Sequence, residues 1–154
     1  MTHYFFDSSA LVKRYTKEVG TTWVQSLTAT SSGNTIIIAD ITSIEIMSAI
    51  ARLSRDGKIK LRIAKSIRLL VDQHLNTEYI SIQMSDKIVI HSKDLIDKYP
   101  LRAYDAVQLA SALEANRRLV TSGLSPVTFV SADTRLLGAA SKEGFTTDNP
   151  DLHP

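Results

Sequence analysis

Short apolar segments alternate along the chain with longer segments of helical periodicity. The clearest apolar segment is TIIIA at residues 35–39, an unbroken β-branched run of the kind found in strands that are covered on both faces. Residues 61–76 instead repeat apolar side chains every three or four positions, which is helical spacing. We predict strands at residues 3–6, 35–39, 78–82 and 127–130, and helices at residues 10–18, 41–55, 61–76, 85–98, 101–119 and 133–142.

Strands that alternate with one or two helices form a parallel sheet with helices on both faces. The predicted fold is therefore a three-layer α/β/α domain with a parallel sheet. We assign residues 1–146 to this domain, and residues 147–154, which are polar and interrupted by prolines, to an irregular C-terminal tail. A chain of 154 residues forms one domain and buries a core without a disulfide or a structural metal.

Composition excludes several classes of site. The chain has no cysteine, which rules out thiolate nucleophiles, iron–sulfur clusters and cysteine-ligated zinc and fits a cytoplasmic location. The N-terminus lacks the basic region of a secretory signal, and no uncharged stretch is apolar enough to span a bilayer, so we expect no membrane association. A glycine-rich phosphate loop and a GxSxG motif are also missing.

Positive charge is concentrated in one stretch of the chain. The formal net charge of +2 is too small to establish nucleic-acid binding by itself. Between residues 52 and 68, however, seven basic residues accompany a single acid, Asp56. The basic cluster consists of Arg52, Arg55, Lys58, Lys60, Arg62, Lys65 and Arg68. A solvated helix face with its connecting turn explains this cluster as well as a functional patch does.

Four carboxylates stand out because each follows a predicted strand or lies at the start of a predicted helix. Asp7 follows the first strand directly, and Asp133 follows the fourth. Glu45 lies one turn into the helix after the second strand, and Asp105 begins its own helix. For any one of them alone, a helix-capping or first-turn role is the simpler explanation, because helix N-termini favour negative charge. Glu45 fits that explanation least, since an isoleucine flanks it on each side.

Together, the four carboxylates predict a metal site. In an open parallel sheet, ligands bind beyond the carboxyl ends of the strands, which is where all four acids are expected. Carboxylates that converge in one cleft raise one another's pKa unless a cation accompanies them. Mg²⁺ and Mn²⁺ are hard ions that bind carboxylate and water oxygens, and carboxylate-held metal pairs support in-line displacement at phosphorus.

The motifs around these acids resemble those of PIN-domain proteins of the VapC type, the ribonuclease toxins of bacterial and archaeal toxin–antitoxin pairs. The first motif is YFFDSSAL at residues 4–11, an apolar strand followed by an aspartate, serines and a helix, and the second is TSIEI at residues 42–46. LRAYDA at residues 101–106 resembles the third acidic motif, and FVSADTRL at residues 129–136 the fourth. Each motif is short, but four in the right order over nearly the whole chain make a strong match.

The resemblance implies a parallel sheet of about five strands in the order 3-2-1-4-5, for whose last strand Phe145-Thr146 is the only candidate. It also implies a metal-dependent endoribonuclease. It implies that Asp7 and Asp105 bind Mg²⁺ or Mn²⁺ directly, and that Glu45 and Asp133 complete the site directly or through water. Ser9 is similar to the hydroxyl that supports the first aspartate in this family. The resemblance also implies an RNA substrate, a homodimer, and a small antitoxin that covers a helical face and inserts residues near the acids.

Basic residues supply candidates for contacts with phosphate and with a partner. Four of them lie near the acidic motifs in sequence, although ordinary surface charge explains each equally well: Lys13, Arg14, Arg102 and Arg135. The helix pair at residues 41–76 carries apolar stripes and the basic cluster, so we expect it to contribute to the antitoxin-binding face or to the dimer.

Two other functions remain open. One is a regulatory or RNA-holding PIN module with little catalysis, against which the presence of all four acids argues. The other is a phosphoacceptor domain with Asp7 as the nucleophile. The phosphatase version of that chemistry expects a second aspartate two residues later, where this chain has Ser9.

Overall fold

The computed structural model describes all 154 residues. Five parallel strands form one sheet in the order β3-β2-β1-β4-β5, so the predicted class and strand order are confirmed. The strands are β1 (His3–Phe6), β2 (Thr35–Ala39), β3 (Tyr79–Ile82), β4 (Thr128–Val130) and β5 (Thr146–Asp148).

Seven α-helices cover the two faces of the sheet. They are α1 (Ser8–Leu11), α2 (Thr21–Thr28), α3 (Thr42–Arg55), α4 (Leu61–Thr77), α5 (Asp86–Lys98), α6 (Ala103–Thr121) and α7 (Thr134–Lys142). Short 3-10 turns lie at Val12–Arg14, Thr30–Ser32 and Pro150–Leu152. No helix has both the length and the hydrophobicity needed to cross a bilayer.

The sheet divides the core into two layers. Phe5 belongs to a cluster of 18 buried residues on the side of α5, α6 and α7, where its ring stacks on Phe129 with 5.6 Å between centroids. The next residue, Phe6, belongs to a cluster of 12 buried residues on the side of α1 to α4. Successive strand residues point to opposite faces, and both faces are covered. This explains why the inner strands are apolar without interruption.

All five strands end at the same edge of the sheet because they are parallel. β1 ends at Phe6, so Asp7 lies at this carboxyl edge, and β4 ends at Val130, so Ser131 lies there too. Phe6 and Val130 are paired across the two strands, and the Asp7 N–H donates to the Val130 carbonyl at 3.1 Å. The backbone of the first acid is therefore fixed by the sheet.

The segment between β1 and β2 differs from the prediction of one helix over residues 10–18. The chain instead forms α1 and the 3-10 turn that ends at Arg14, followed by the separate helix α2. The sequence does not indicate α2, because its serine and threonine content is unfavourable for helices. Val24 and Leu27 pack into the smaller core cluster, and this tertiary packing stabilises the helix.

The segment 147–154 is more regular than the predicted irregular tail. The last two residues of β5 fall within this segment and pair with β4, and the 3-10 turn Pro150–Leu152 follows. The turn is attached to the segment after β1, where Lys13 Nζ lies 2.9 Å from Asp151 Oδ1. This contact joins residues that are far apart in sequence, so local composition did not reveal it.

Candidate active site

Asp7 is almost completely buried at the carboxyl edge, with 3% of its surface exposed. Its Oδ1 accepts a hydrogen bond from the Ala10 N–H at 2.9 Å, and its Oδ2 accepts one from the Ser131 hydroxyl at 2.8 Å. The Ser9 hydroxyl lies 2.8 and 2.9 Å from the two oxygens, and its supporting role in the site stays a prediction. Asp7 therefore has three hydrogen-bond donors around it but no cationic partner.

Burial raises the pKa of Asp7 from its ordinary value of 3.8 to about 7. The hydrogen bonds from Ala10, Ser9 and Ser131 oppose this rise, and the negative charge of Glu45 adds to it. Removal from water outweighs the hydrogen bonds because the charged carboxylate loses its hydration. Near neutral pH, the side chain is divided between its neutral and its charged form.

Glu45 is held in place from the neighbouring helix α6. The Gln108 amide donates to Glu45 Oε2 at 2.7 Å and to the Thr42 hydroxyl at 3.0 Å. Gln108 is 1% exposed and Thr42 is fully buried, so this bridge between α6 and α3 lies in the interior. The sequence analysis missed Gln108 because 63 positions separate it from Glu45. Its only signal was a polar side chain within an apolar helix.

Asp105 and Asp133 lie at the N-termini of α6 and α7 and accept hydrogen bonds from the backbone. Asp105 Oδ2 accepts from the Arg102 N–H at 3.3 Å. Asp133 Oδ1 accepts from the N–H groups of Arg135 at 2.8 Å and Leu136 at 3.2 Å. Burial raises the pKa of Asp105, and the negative charge of Asp133 contributes to the rise. The two acids are thus close enough to influence each other.

The four acids share one edge without forming a tight cluster. No group of three or more Asp, Glu or His side chains is close enough to hold a metal ion. The prediction that their convergence by itself requires a divalent ion is therefore wrong for these side-chain positions. Burial favours a protonated Asp7, while Asp105 and Asp133 turn onto backbone N–H groups at their own helix starts. Their role as metal ligands stays a prediction.

The chemistry of the donor set nevertheless suits a hard divalent cation. The edge presents four carboxylates, and none of them forms an ion pair with a lysine, arginine or histidine. Oxygen ligands of this kind are those that Mg²⁺ and Mn²⁺ prefer. The negative charge at this edge is therefore available to an ion from solution.

Ser131 is a site residue that the sequence analysis did not identify. It is fully buried, and besides donating to Asp7 it accepts a hydrogen bond from the Asp133 N–H at 3.0 Å. It thus connects the first and the fourth acid. The available signal was positional, because Ser131 follows β4 directly, as Asp7 follows β1.

Two of the four basic side chains that were predicted to contact phosphate instead pair with carboxylates away from the acidic edge. Lys13 is 5% exposed, and its Nζ lies 3.2 Å from Glu18 Oε2 and 2.9 Å from Asp151 Oδ1. Arg14 Nη2 lies 2.7 Å from Glu78 Oε2, beside the start of β3 and thus at the opposite edge of the sheet. These pairings make both side chains unavailable to a phosphate at the acidic edge, so the prediction for them is corrected.

Arg102 and Arg135 lie where the prediction needs them. Both are exposed and neither forms an ion pair with a carboxylate. Their positive charges lower the pKa of Asp105, opposing the effect of its burial. They are the basic side chains nearest to the acidic edge among the four candidates, and their contact with phosphate stays a prediction.

The comparisons with known proteins agree with this fold. No curated protein matches the chain. VapBC2 from Rickettsia felis, solved with a DNA fragment from its promoter, is 16% identical with a TM-score of 0.65, over 96% of this chain and 98% of that one. VapC20 from Mycobacterium tuberculosis, a toxin that cleaves the sarcin–ricin loop, is 14% identical with a TM-score of 0.61, over 98% and 99%. A toxin–antitoxin complex from Klebsiella pneumoniae is 19% identical with a TM-score of 0.60, over 96% and 97%.

At these identities the solved structures show a shared fold, whereas a family model carries the assignment. The model of the PIN domain matches residues 4–125, a range that begins in β1 and includes Asp7, Glu45 and Asp105. Asp133 and β5 lie beyond that range but complete the 3-2-1-4-5 sheet. The chain belongs to the PIN-domain family.

Proposed function

We propose that this PIN domain is a metal-dependent endoribonuclease of the VapC type, the toxin of a toxin–antitoxin pair. The observation that carries the proposal is the carboxyl edge, where four carboxylates have no basic partner and one of them, Asp7, is nearly fully buried. Burying an acid without a counter-charge destabilises a protein, which is typical of functional sites. Membership of the PIN family supports a nuclease, and the cleavage of the sarcin–ricin loop by VapC20 supports RNA as the substrate.

Asp7 and Asp105 would bind Mg²⁺ or Mn²⁺ directly, with Glu45 and Asp133 binding directly or through water. Such an ion, when bound, lowers the pKa of a coordinated water and offsets the negative charge that develops around phosphorus. The hydrolysis forms a bond between the water oxygen and phosphorus and breaks the bond from phosphorus to the 3′ oxygen. None of the carboxylates needs to become a covalent nucleophile.

Neighbouring side chains of the protein would orient the carboxylates of this site. Ser9 and Ser131 hold the Asp7 carboxyl in one position, and Gln108 does the same for Glu45. Asp7 must lose its proton before a cation binds it, which its pKa of about 7 permits at neutral pH. Arg102 and Arg135 would contact phosphates on either side of the cleaved bond.

RNA cleavage by the purified protein tests the proposal. We expect an oligonucleotide to be cut with Mg²⁺ or Mn²⁺, to stay intact with EDTA, and to be cut at least about a hundredfold more slowly by Asp7→Asn or Asp105→Asn. Asp97→Asn, which changes an exposed residue of α5, is the matched control and should cut normally. Equal cleavage by all variants would reveal a contaminating nuclease and overturn the proposal.

The surface of α3 and α4 is the proposed site for the antitoxin. All seven members of the basic cluster are exposed there, and none forms an ion pair. α4 also exposes the apolar side chains of Leu61, Leu69 and Leu70. This combination suits an acidic, amphipathic partner segment. Co-expression with the neighbouring small reading frame should give a complex that co-purifies, and light scattering should show two copies of this chain; failure of both would contradict the assignment.

A catalytically weak RNA-binding module is the second candidate. The observation that favours it is the spacing of the acids, since no three of them are close enough to hold an ion. RNA binding without metal-dependent cleavage would select this function. The phosphoacceptor alternative finds less support, because both Asp7 oxygens already accept hydrogen bonds and Ser9 stands where phosphatase chemistry expects a second aspartate.

A further inference from the structure

A cleft between α3 and the start of α6 opens beside the acidic edge. It has a volume of about 280 Å³. Its lining residues are Ile41, Ile44, Glu45, Ser48, Arg52 and Tyr104. The α3 members recur every three or four positions and so form one stripe of the helix. Glu45 belongs both to this cleft and to the four acids, so a ligand chain that passes the acids continues into the cleft.

Tyr104 is the one exposed aromatic side chain of the protein. It has 61% of its surface exposed, whereas the other nine aromatic residues are buried or half-buried. It immediately precedes Asp105, and across the cleft Ile44 is 68% exposed. The aromatic ring and the isoleucine therefore both line the cleft and are open to a ligand at the acidic edge. The face of an exposed aromatic ring offers a stacking surface to another flat group.

Arg52 marks the far end of the same stripe. It lies seven residues, or two helical turns, beyond Glu45, a rise of about 10 Å along α3. Its guanidinium is exposed and has no carboxylate partner. A free guanidinium binds phosphate oxygens in pairs, and Arg serves this purpose better than Lys. The cleft therefore offers an apolar surface near the acids and a positive charge farther away.

We propose that this cleft is a nucleotide subsite, in which an unpaired base of the RNA stacks on Tyr104 and Arg52 binds a backbone phosphate. The inference rests on the proposed nuclease function and adds to it two RNA-contacting residues outside the four acids, Tyr104 and Arg52. Every base has a flat face, so stacking on an aromatic ring requires an unpaired base but no particular sequence. The neutral base lies toward the negative Glu45 and the phosphate toward Arg52, which matches the order of charges in the cleft.

Fluorescence of 2-aminopurine tests the stacking without any cleavage. The probe is placed at successive positions of a single-stranded RNA, and the protein is added in EDTA. We expect wild-type protein to quench the probe at one or two positions, Tyr104→Ala to abolish the quenching and Tyr104→Phe to retain it, because Phe keeps the ring. With Mg²⁺, Tyr104→Ala should raise KM for RNA cleavage by roughly tenfold, as expected for the loss of one stacked base, and change kcat less.

A charge-matched pair tests the phosphate contact. Arg52→Gln should weaken RNA binding severalfold more than Arg55→Gln, because Arg55 lies on the same helix but lines the separate groove against α4. Equal weakening by the two variants, or quenching that persists in Tyr104→Ala, overturns the subsite. A change of oligomeric mass in Tyr104→Ala, measured by light scattering, also overturns it, since a second copy of the chain would then be the occupant.

The subsite and the nuclease function fail in different ways. Tyr104-dependent quenching without RNA cleavage by wild-type protein supports the subsite and rejects the nuclease. Cleavage by wild-type protein without Tyr104-dependent quenching supports the nuclease and rejects the subsite.

Discussion

The Ser131 hydroxyl donates a 2.8 Å hydrogen bond to Asp7 Oδ2, although 124 positions separate the two residues. The pairing of Phe6 with Val130 brings them side by side at the ends of β1 and β4. Both side chains are buried, so the parallel sheet sets the position of the first acid. Even so, burial outweighs the hydrogen bonds and keeps the pKa of Asp7 near 7.

Asp7→Asn is expected to stabilise the protein more at pH 8 than at pH 5. The pKa of about 7 in the folded state lies above the ordinary value of 3.8, so the folded state retains a proton that the unfolded chain releases. Stability is therefore lost as the pH rises from about 4 to about 7, and the asparagine variant escapes this loss. Between pH 5 and pH 8 the advantage of the variant should grow by up to roughly 3 kcal/mol.

Urea unfolding at the two pH values measures this difference. Asp72→Asn changes an exposed acid of α4 and should follow the wild type at both. If the stability of Asp7→Asn depended on pH as strongly as that of the wild type, Asp7 would not be the group that titrates near 7.

Mn²⁺ or Mg²⁺ is expected to raise the melting temperature, more at pH 8 than at pH 6. The cation competes with the proton on Asp7, whose pKa is about 7, so its binding strengthens as the proton leaves. An ion at a hundred times its Kd stabilises by about 2.7 kcal/mol, or roughly 5–10 °C in a domain of this size. Thermal scans should show no shift in Asp105→Asn and the full shift in Asp97→Asn. A full shift in Asp105→Asn would place the ion elsewhere.

Gln108→Ala is expected to lower kcat for RNA cleavage while leaving KM nearly unchanged. Glu45 loses its 2.7 Å donor and becomes free to turn, whereas Tyr104 and Arg52, the two residues proposed to contact RNA in the cleft, are not altered. Thr42 also loses a buried partner, so stability should fall by about 1–3 kcal/mol. Steady-state kinetics and thermal unfolding measure the two effects, with the exposed Gln73→Ala as control. An unchanged kcat would show that Glu45 needs no orientation from α6.

Gly20→Ala is expected to destabilise the protein far more than Gly33→Ala. Both glycines have positive φ, +83° and +69°, so each substitution costs about 1–2 kcal/mol in the backbone alone. A Cβ at Gly20 would also overlap the Pro150 carbonyl oxygen, whereas nothing lies within 4 Å at Gly33. Thermal unfolding should therefore show an additional loss for Gly20→Ala, because the 3-10 turn has to move. Equal losses would mean that this turn contributes little to stability.

The alternation of apolar and helical segments was enough to predict a parallel sheet and four of its strands, whereas the fifth strand and the strand order came from the resemblance to PIN domains. The central strand β2 is short and apolar on both faces, so residues such as Ile36 to Ile38 leave few alternatives to a buried parallel strand. The same pattern failed for α2, whose local preferences are unfavourable and whose stability comes from packing. The phosphate contact predicted for Lys13 was wrong for a similar reason, because its partner Asp151 lies near the other end of the chain.

The sequence indicated the acids of the candidate site but not the residues that form hydrogen bonds with them. Strand ends indicated Asp7 and Asp133, because a parallel sheet collects such positions at one edge. The partners that orient the acids, Ser131 and Gln108, come from distant segments, and single-sequence periodicity contains no information about such pairs. The rotamers of the acids depend on the same distant contacts.

The stacked rings of Phe5 and Phe129 lie two residues before Asp7 and Ser131 in two adjacent strands. A tightly packed interior transmits small displacements instead of absorbing them. A smaller ring at either position would shift the end of a strand while the chain still folds. A genetic selection for inactive variants should therefore recover substitutions of these phenylalanines together with substitutions of the acids. Only a measurement of protein abundance would distinguish the two groups of variants.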